Sequence, residues 1–261
     1  MGERMKIICH DDKKFSSHFS FGAKAPLMNL YEQDLRAIKS SGYTAVVTGL
    51  GRLKLISKFE ELGIPYFFLD RAYIFGERKF WIRVSYNSLQ MNEMRDIKGW
   101  RNVSPVTPEP WRKGGSKIVV CPPSKKTSEF YKFDKDKWLN RVVKYLDKNS
   151  DREVIIRYKP DNKIARYHGD TSLLAALEDA HCIVVYNSNA ATEAIFSGVP
   201  AIVLGDAASK FVARTDLSDI ESLCYPDREL WLKNLFCNQF TVDELSNGEA
   251  IDFLTKYHRI T

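Results

Sequence analysis

The sequence predicts an α/β protein of two doubly wound domains facing a cleft, the first of them compact. Short apolar runs alternate with amphipathic stretches through both halves of the 261 residues, which is β-α-β order. Runs such as Cys182-Ile183-Val184-Val185-Tyr186 are apolar without alternation, as in strands covered on both faces. A stretch rich in proline and glycine, from Ser104 to Ser116, then parts the chain near its middle.

In the first half, Met5–Cys9 reads as a short buried strand and Leu30–Lys39 as a helix with one apolar face. Tyr43–Thr48 is a second strand, Leu53–Leu62 a helix stopped by Gly63, Pro65–Leu69 a third strand and Phe80–Val84 a fourth. In the second half, Lys117–Cys121 is a strand and Lys135–Asp147 a helix with Trp138, Val142, Val143 and Leu146 on one side. Val154–Tyr158, Cys182–Tyr186 and Ala201–Leu204 read as strands, with helices over Ser172–Asp179 and Ala190–Phe196. These elements give a basic acceptor-side domain over 1–103, a linker over 104–116 and a phosphate-binding domain over 117–261.

Composition narrows the classes. A chain 44% hydrophobic and 28% charged is not disordered, and 14 Gly with 10 Pro is ordinary usage. No apolar run reaches the roughly 18–20 residues of a membrane span, and the start lacks a secretory apolar stretch, so a cytoplasmic location is expected. The five cysteines are scattered and odd in number, which argues against a disulfide framework or a paired-cysteine zinc site. Of the net charge of +6, the excess lies early: Met1–Lys113 holds 19 Lys and Arg against 12 Asp and Glu.

The most informative segment runs from Ile183 to Leu204. A buried strand ends in the polar turn Asn187-Ser188-Asn189, and a helix starts at once on Ala190-Ala191. Open backbone N–H groups there, with the Ser188 hydroxyl, would hold a phosphate; Glu193, one turn on, would accept from ribose hydroxyls. The competing reading is a helix cap with a solvated glutamate. Arg157 and Lys159 end another strand at the edge where doubly wound folds bind ligands, and by the two-residue period would share one face. There they would neutralise a diphosphate leaving group without a metal ion. Ser124 and Lys125, in a polar loop after Cys121, would close over the same phosphates.

The Ser188–Asn189 turn, Glu193 and the Gly198-Val199-Pro200 step together resemble the donor-binding half of GT-B-fold glycosyltransferases, whose two domains are Rossmann-like. The tail, Tyr225–Leu232 and Asn238–Ala250, resembles a C-terminal signature of glycosyltransferase-like proteins from phage genomes and bacterial surface-polysaccharide clusters, with Phe240 where Trp is usual. Asp70–Ile74 and Arg83–Gln90 resemble first-half segments of that group. The resemblance implies a nucleotide-sugar donor, no separate cofactor and an acceptor side that includes Arg71, Tyr73, Arg83, Tyr86 and Asn87.

His10, Asp11 and Asp12 stand just past the first strand, and Asp70 just past the third. Any of them would serve as the base that takes the acceptor hydroxyl's proton, with loop solvation or capping as the alternative. Asp134-Lys135-Asp136 spells an acid–x–acid pattern but precedes a helix, so capping is the expectation and no metal site is assigned. The early cations are interleaved with Phe15, Phe19, Phe21, Tyr73, Phe75, Phe80, Trp81 and Trp100, which would suit a nucleic acid. With the phage resemblance, this favours a hydroxymethylated pyrimidine in DNA as acceptor. The alternatives are transfer of an amine or amino acid to a phosphorylated hydroxymethyl base in DNA, transfer to a surface polysaccharide, and a DNA-binding protein on a degenerate fold. The oligomeric state is not assigned.

Overall fold

A computed structural model describes residues 5–12, 15–74, 81–96, 101, 107–159 and 172–258. The first half runs β1 (Lys6–His10), α1 (Phe15–Ala23), β2 (Leu27–Met28), α2 (Leu35–Ser40), β3 (Tyr43–Thr48), α3 (Leu53–Leu62), β4 (Tyr66–Arg71) and β5 (Trp81–Tyr86). The second runs β6 (Lys117–Cys121), α4 (Lys125–Phe130), α5 (Lys135–Asn149), β7 (Glu153–Ile156), α6 (Leu173–Ala176), β8 (Ala180–Val185), α7 (Ala190–Phe196) and β9 (Ala201–Val203). The tail holds α8 (Glu229–Cys237), β10 (Gln239–Thr241), α9 (Val242–Asn247) and α10 (Glu249–Tyr257).

The chain forms two compact units, Met1–Val103 with Leu232–Thr261, and Ser104–Trp231. This corrects the expected second domain of 117–261: the boundary falls inside α8, and the tail returns to the first unit. The reason is an open sheet edge. Strand β5 pairs antiparallel with β4 and leaves its far side unpaired; β10 closes it, setting Phe240 opposite Ile82. Phe240, Leu245, Ile251 and Leu254 then share one core with Ile7, Phe19, Val46 and Phe67. A Cβ on Gly22 of α1 would collide with the Leu245 carbonyl of α9, so the two helices meet backbone to backbone. Arg101 fastens the same tail, donating to the Phe236 carbonyl at 3.1 Å and pairing with Glu244.

The first sheet has the order β10-β5-β4-β3-β1-β2, in which β2, β1, β3 and β4 are parallel. The second, β7-β6-β8-β9, is wholly parallel. Each therefore begins with a central strand, takes its second strand on one side and its third on the other. The crevice at the carboxyl ends falls between β1 and β3 in one unit, and between β6 and β8 in the other. All six residues of β8 are buried, as its unbroken apolar run requires.

Local signals placed the ends of several helices. Asp134 accepts from the Asp136 and Lys137 backbone N–H groups at 2.9 and 3.0 Å, so it caps α5. Gly63 ends α3 at φ +67°, a left-handed position that glycine adopts without strain. The helix expected over Leu30–Lys39 is shorter, because Asp34 caps it from within that range. The expected linker also needs correcting where it is described. Glu109 N–H donates to the Phe196 carbonyl at 2.9 Å and Arg112 N–H to Gly198 at 2.8 Å, so this stretch packs on the second unit. Arg228 reinforces it, donating to the Glu109 carbonyl at 2.8 Å and lying 4.0 Å over the Trp111 ring.

Candidate functional site

The edge formed by the ends of β6, β7 and β8 holds most of the residues expected to bind a phosphorylated ligand. Arg157 follows β7 directly, and its backbone N–H still donates to Val120 of β6 at 2.9 Å. That bond holds the residue against the sheet, and its half-buried side chain hydrogen-bonds the Cys121 thiol at the end of β6. Burial pushes that thiol's pKa up; the Arg157 charge pulls it down, and the Glu193 charge adds to the rise. The Arg157 side chain, just past β7, thus meets a buried sulfur at the crevice of this sheet, and the Glu193 charge of α7 is felt there. Cys121 was missed as a marker of the site, because sequence shows only an apolar residue at a strand's end.

Ser188 and Asn189 form the turn that starts α7. The Ser188 hydroxyl accepts from Ala190 N–H at 3.2 Å and its carbonyl from Ala191 N–H at 3.2 Å. The capping role weighed in the sequence is therefore present, and it leaves the Ser188 hydroxyl proton as the group a ligand would meet. Asn189 makes no side-chain cap, and α7 has only seven residues. Gly198 stops α7 at φ +80°, where a Cβ would strike the Pro110 carbonyl.

Two expectations for this edge are corrected. Strand β7 ends at Ile156, so Arg157 and Lys159 do not share a strand face; Lys159 is exposed beside Tyr158. Ser124 and Lys125 belong to a helix rather than a closing loop. Ser124 caps α4 by accepting from Thr127 N–H at 3.2 Å, and Lys125 lies 3.8 Å from Glu129 on its exposed face. Four residues C-terminal to Lys125, Glu129 makes the helical i,i+4 pair that the loop reading overlooked.

In the first unit, His10 ends β1 and Thr48 ends β3, so both stand at the crevice of that sheet. His10 is 2% exposed, and its Nδ1 accepts from the Leu30 backbone N–H at 3.1 Å. The ring's one lone pair is thereby used, which makes His10 an Nε2–H donor and removes it from the candidate bases. Burial and the nearby Arg52 charge hold its pKa below the ordinary range, against weaker upward pulls from Asp12 and Asp11. Asp12 accepts from the Ser16 hydroxyl at 3.1 Å, which itself meets the Thr48 hydroxyl at 2.8 Å. Asp11 is exposed beside them. Asp70, the fourth candidate base, is held by Arg83 at 3.0 Å and accepts from Arg71 N–H at 2.9 Å.

The expected acceptor residues have structural partners instead. Tyr73 is fully buried; its hydroxyl accepts from Met91 N–H at 2.6 Å, and Arg83 lies 5.0 Å over its ring. Burial raises the Tyr73 pKa, so the hydroxyl stays neutral. Tyr86 packs against Phe67 and His258, at 5.1 and 5.2 Å between ring centres. Asn87, at φ +49°, turns the chain and accepts from Tyr66 N–H at 2.8 Å. Arg71 is exposed at the carboxyl edge of β4, and Asn87 is exposed in its turn. Phe75, Phe80 and Trp100 lie outside the described residues.

No protein-family model matches the chain, and no curated protein does. Solved structures do. KpsC, the beta Kdo 2,7 transferase of Thermosulfurimonas dismutans, aligns over 94% of this chain and 99% of its own, with a TM-score of 0.54 and 12% identity. The KpsC beta Kdo 2,4 transferase of the same organism aligns over 90% of each chain, with a TM-score of 0.48 and 13% identity. At such identity the first likeness is one of fold: an α/β chain with parallel sheets, similar to a GT-B glycosyltransferase.

Proposed function

We propose that this chain is a glycosyltransferase that takes a sugar from a nucleotide-linked donor and passes it to a hydroxyl of a glycan. One observation carries the reading: Arg157 hydrogen-bonds Cys121 at the carboxyl edge of a wholly parallel sheet, the edge from which the Ser188 turn and the helix bearing Glu193 also start. A guanidinium matches a phosphate with paired, charge-assisted hydrogen bonds, and a carboxylate one turn into a helix can accept from a ribose diol. The structural likeness to a Kdo transferase supports the same chemistry.

In the transfer, the bond from the anomeric carbon to the donor's phosphate oxygen breaks, and its electrons leave with the phosphate. Arg157 stabilises the charge that develops there. The acceptor oxygen forms the new bond and gives up its proton to a general base. His10 acts as a hydrogen-bond donor.

A glycan suits this chain better than DNA. Phe19 and Tyr73 are interior and Arg83 is paired with Asp70, so these three are not offered to a nucleic acid. Phe21, Lys24, Lys54 and Lys58 stay exposed, so the preference for a glycan rests on the structural likeness to a Kdo transferase.

The test is thermal stabilisation by a panel of nucleotides, followed by release of free nucleotide from the matching nucleotide sugar, activated Kdo first. One nucleotide is expected to raise the midpoint in proportion to the logarithm of its concentration. If none does, the donor assignment fails.

A further inference from the structure

We propose that Cys121 is a positioning residue: its thiol holds the Arg157 guanidinium at the crevice of the second sheet, where the donor's phosphate binds. The donor half of this proposal rests on the transferase reading; the tether between the two side chains does not.

The backbone brings the pair together. Strand β6 lies between β7 and β8, and its register sets Val120 beside Ile156 and Cys121 beside Val185. One step further along, Cys121 and Arg157 are neighbours, with the Arg157 N–H donating to the Val120 carbonyl at 2.9 Å. Cys121 is 5% exposed. Ile156 and Tyr158, on either side of Arg157, are 40% and 62% exposed. Arg157 between them is half-buried, and its guanidinium donates to the Cys121 sulfur.

The chemistry of this corner explains why a tether matters. The chain leaves β6 through Pro122 and Pro123, which have no backbone N–H. For two residues the strand end offers a phosphate no amide donor, so a side chain must supply the hydrogen bonds and the charge. An arginine side chain has several rotatable bonds, and one fixed contact near its tip removes much of the ordering that binding would otherwise require. Burial raises the Cys121 pKa, so the sulfur is a neutral thiol. It accepts from the guanidinium without cancelling the charge that a phosphate needs, whereas a carboxylate in its place would cancel it. A competing reading, in which Cys121 only fills space at a strand end, predicts that an apolar residue of similar volume would serve equally.

The test uses the whole protein labelled with nitrogen-15 at arginine, with the Arg157 Nε signal assigned by its loss in Arg157→Lys. Relaxation of that signal reports how firmly the side chain is held. Calorimetry with uridine diphosphate, guanosine diphosphate and cytidine monophosphate reports nucleotide affinity. Cys121→Ser keeps an acceptor, and Cys121→Val fills the space without one. Cys121→Val is expected to mobilise the Arg157 side chain and to weaken binding of the wild type's nucleotide at least fivefold. Cys121→Ser should keep the side chain ordered and the affinity within twofold. Thermal midpoints without nucleotide confirm that the variants fold, with Cys121→Ala taking the place of Cys121→Val if the larger side chain does not fit. Unchanged order or unchanged affinity in Cys121→Val overturns the proposal, as does a Cys121→Ser variant that behaves like Cys121→Val. If wild type binds a nucleotide and Cys121→Val leaves the Arg157 signal unchanged, only the tether falls. Loss of order in Cys121→Val, with no nucleotide bound by wild type, leaves the tether standing and removes the transferase reading.

Discussion

Arg157 and Glu193 illustrate how far single residues speak from sequence. Both were visible as charged groups near strand ends, but that they share one sheet edge depends on strand order, which no local pattern encodes. Arg157→Ala is expected to abolish transfer while the far-ultraviolet dichroism stays unchanged; wild-type turnover in that variant would end its assigned role. Glu193→Ala should weaken nucleotide binding by about 1–3 kcal/mol, measured by calorimetry. His258 carries a prediction about stability instead. Its ring lies against Tyr86 and Tyr257, and burial drives its pKa down to about 4, overcoming the upward pull of Glu93 at 3.0 Å. The contact with Glu93 is therefore a hydrogen bond from a neutral ring. The unfolded chain takes up the proton near pH 6.5, whereas the folded one waits until about 4, so stability falls as pH drops through that window. The loss expected is on the order of 1–3 kcal/mol, read from denaturant midpoints, and His258→Gln should flatten that slope.

At the scale of elements, helix and strand starts were legible wherever a local device marks them. The Asp134 cap, the Gly63 stop and the buried run of β8 all lie within a few residues of what they determine. Helices α1 and α4 were not. The α1 sequence, Phe-Ser-Ser-His-Phe-Ser-Phe-Gly-Ala, has no apolar stripe broader than Phe19 and Phe15, and tertiary packing against α9 makes it a helix. Its Gly22 is the contact point. Gly22→Ala is expected to destabilise the first unit by about 1–3 kcal/mol, since backbone on both sides must move. A chemical denaturation curve unchanged from wild type would show that α1 and α9 do not meet this closely.

The whole molecule depends on a return that crosses its units. Residues 104–231 are contiguous and hold their own parallel sheet, so that fragment is expected to fold alone, with a cooperative melting transition. Residues 1–103 lack β10 and the core side chains Phe240, Leu245, Ile251 and Leu254, and should remain unfolded or aggregate. Adding a peptide of residues 232–261 should restore structure to that fragment, read by dichroism. A fragment 1–103 that folds unaided would show that the tail only decorates the first unit.

Some of this protein was determined by the sequence alone: an α/β chain in two parts, most strands of both sheets, and the turn around Ser188. These follow from hydrophobic period and turn chemistry, which act over a few residues. The tertiary structure decided which strand neighbours which, and with that the two crevices, the engaged state of Asp70 and Tyr73 and the tautomer of His10. It also decided that the tail belongs with the first unit. An open strand edge and a half-covered core attract whatever distant segment can satisfy them, and that demand has no local trace in the chain.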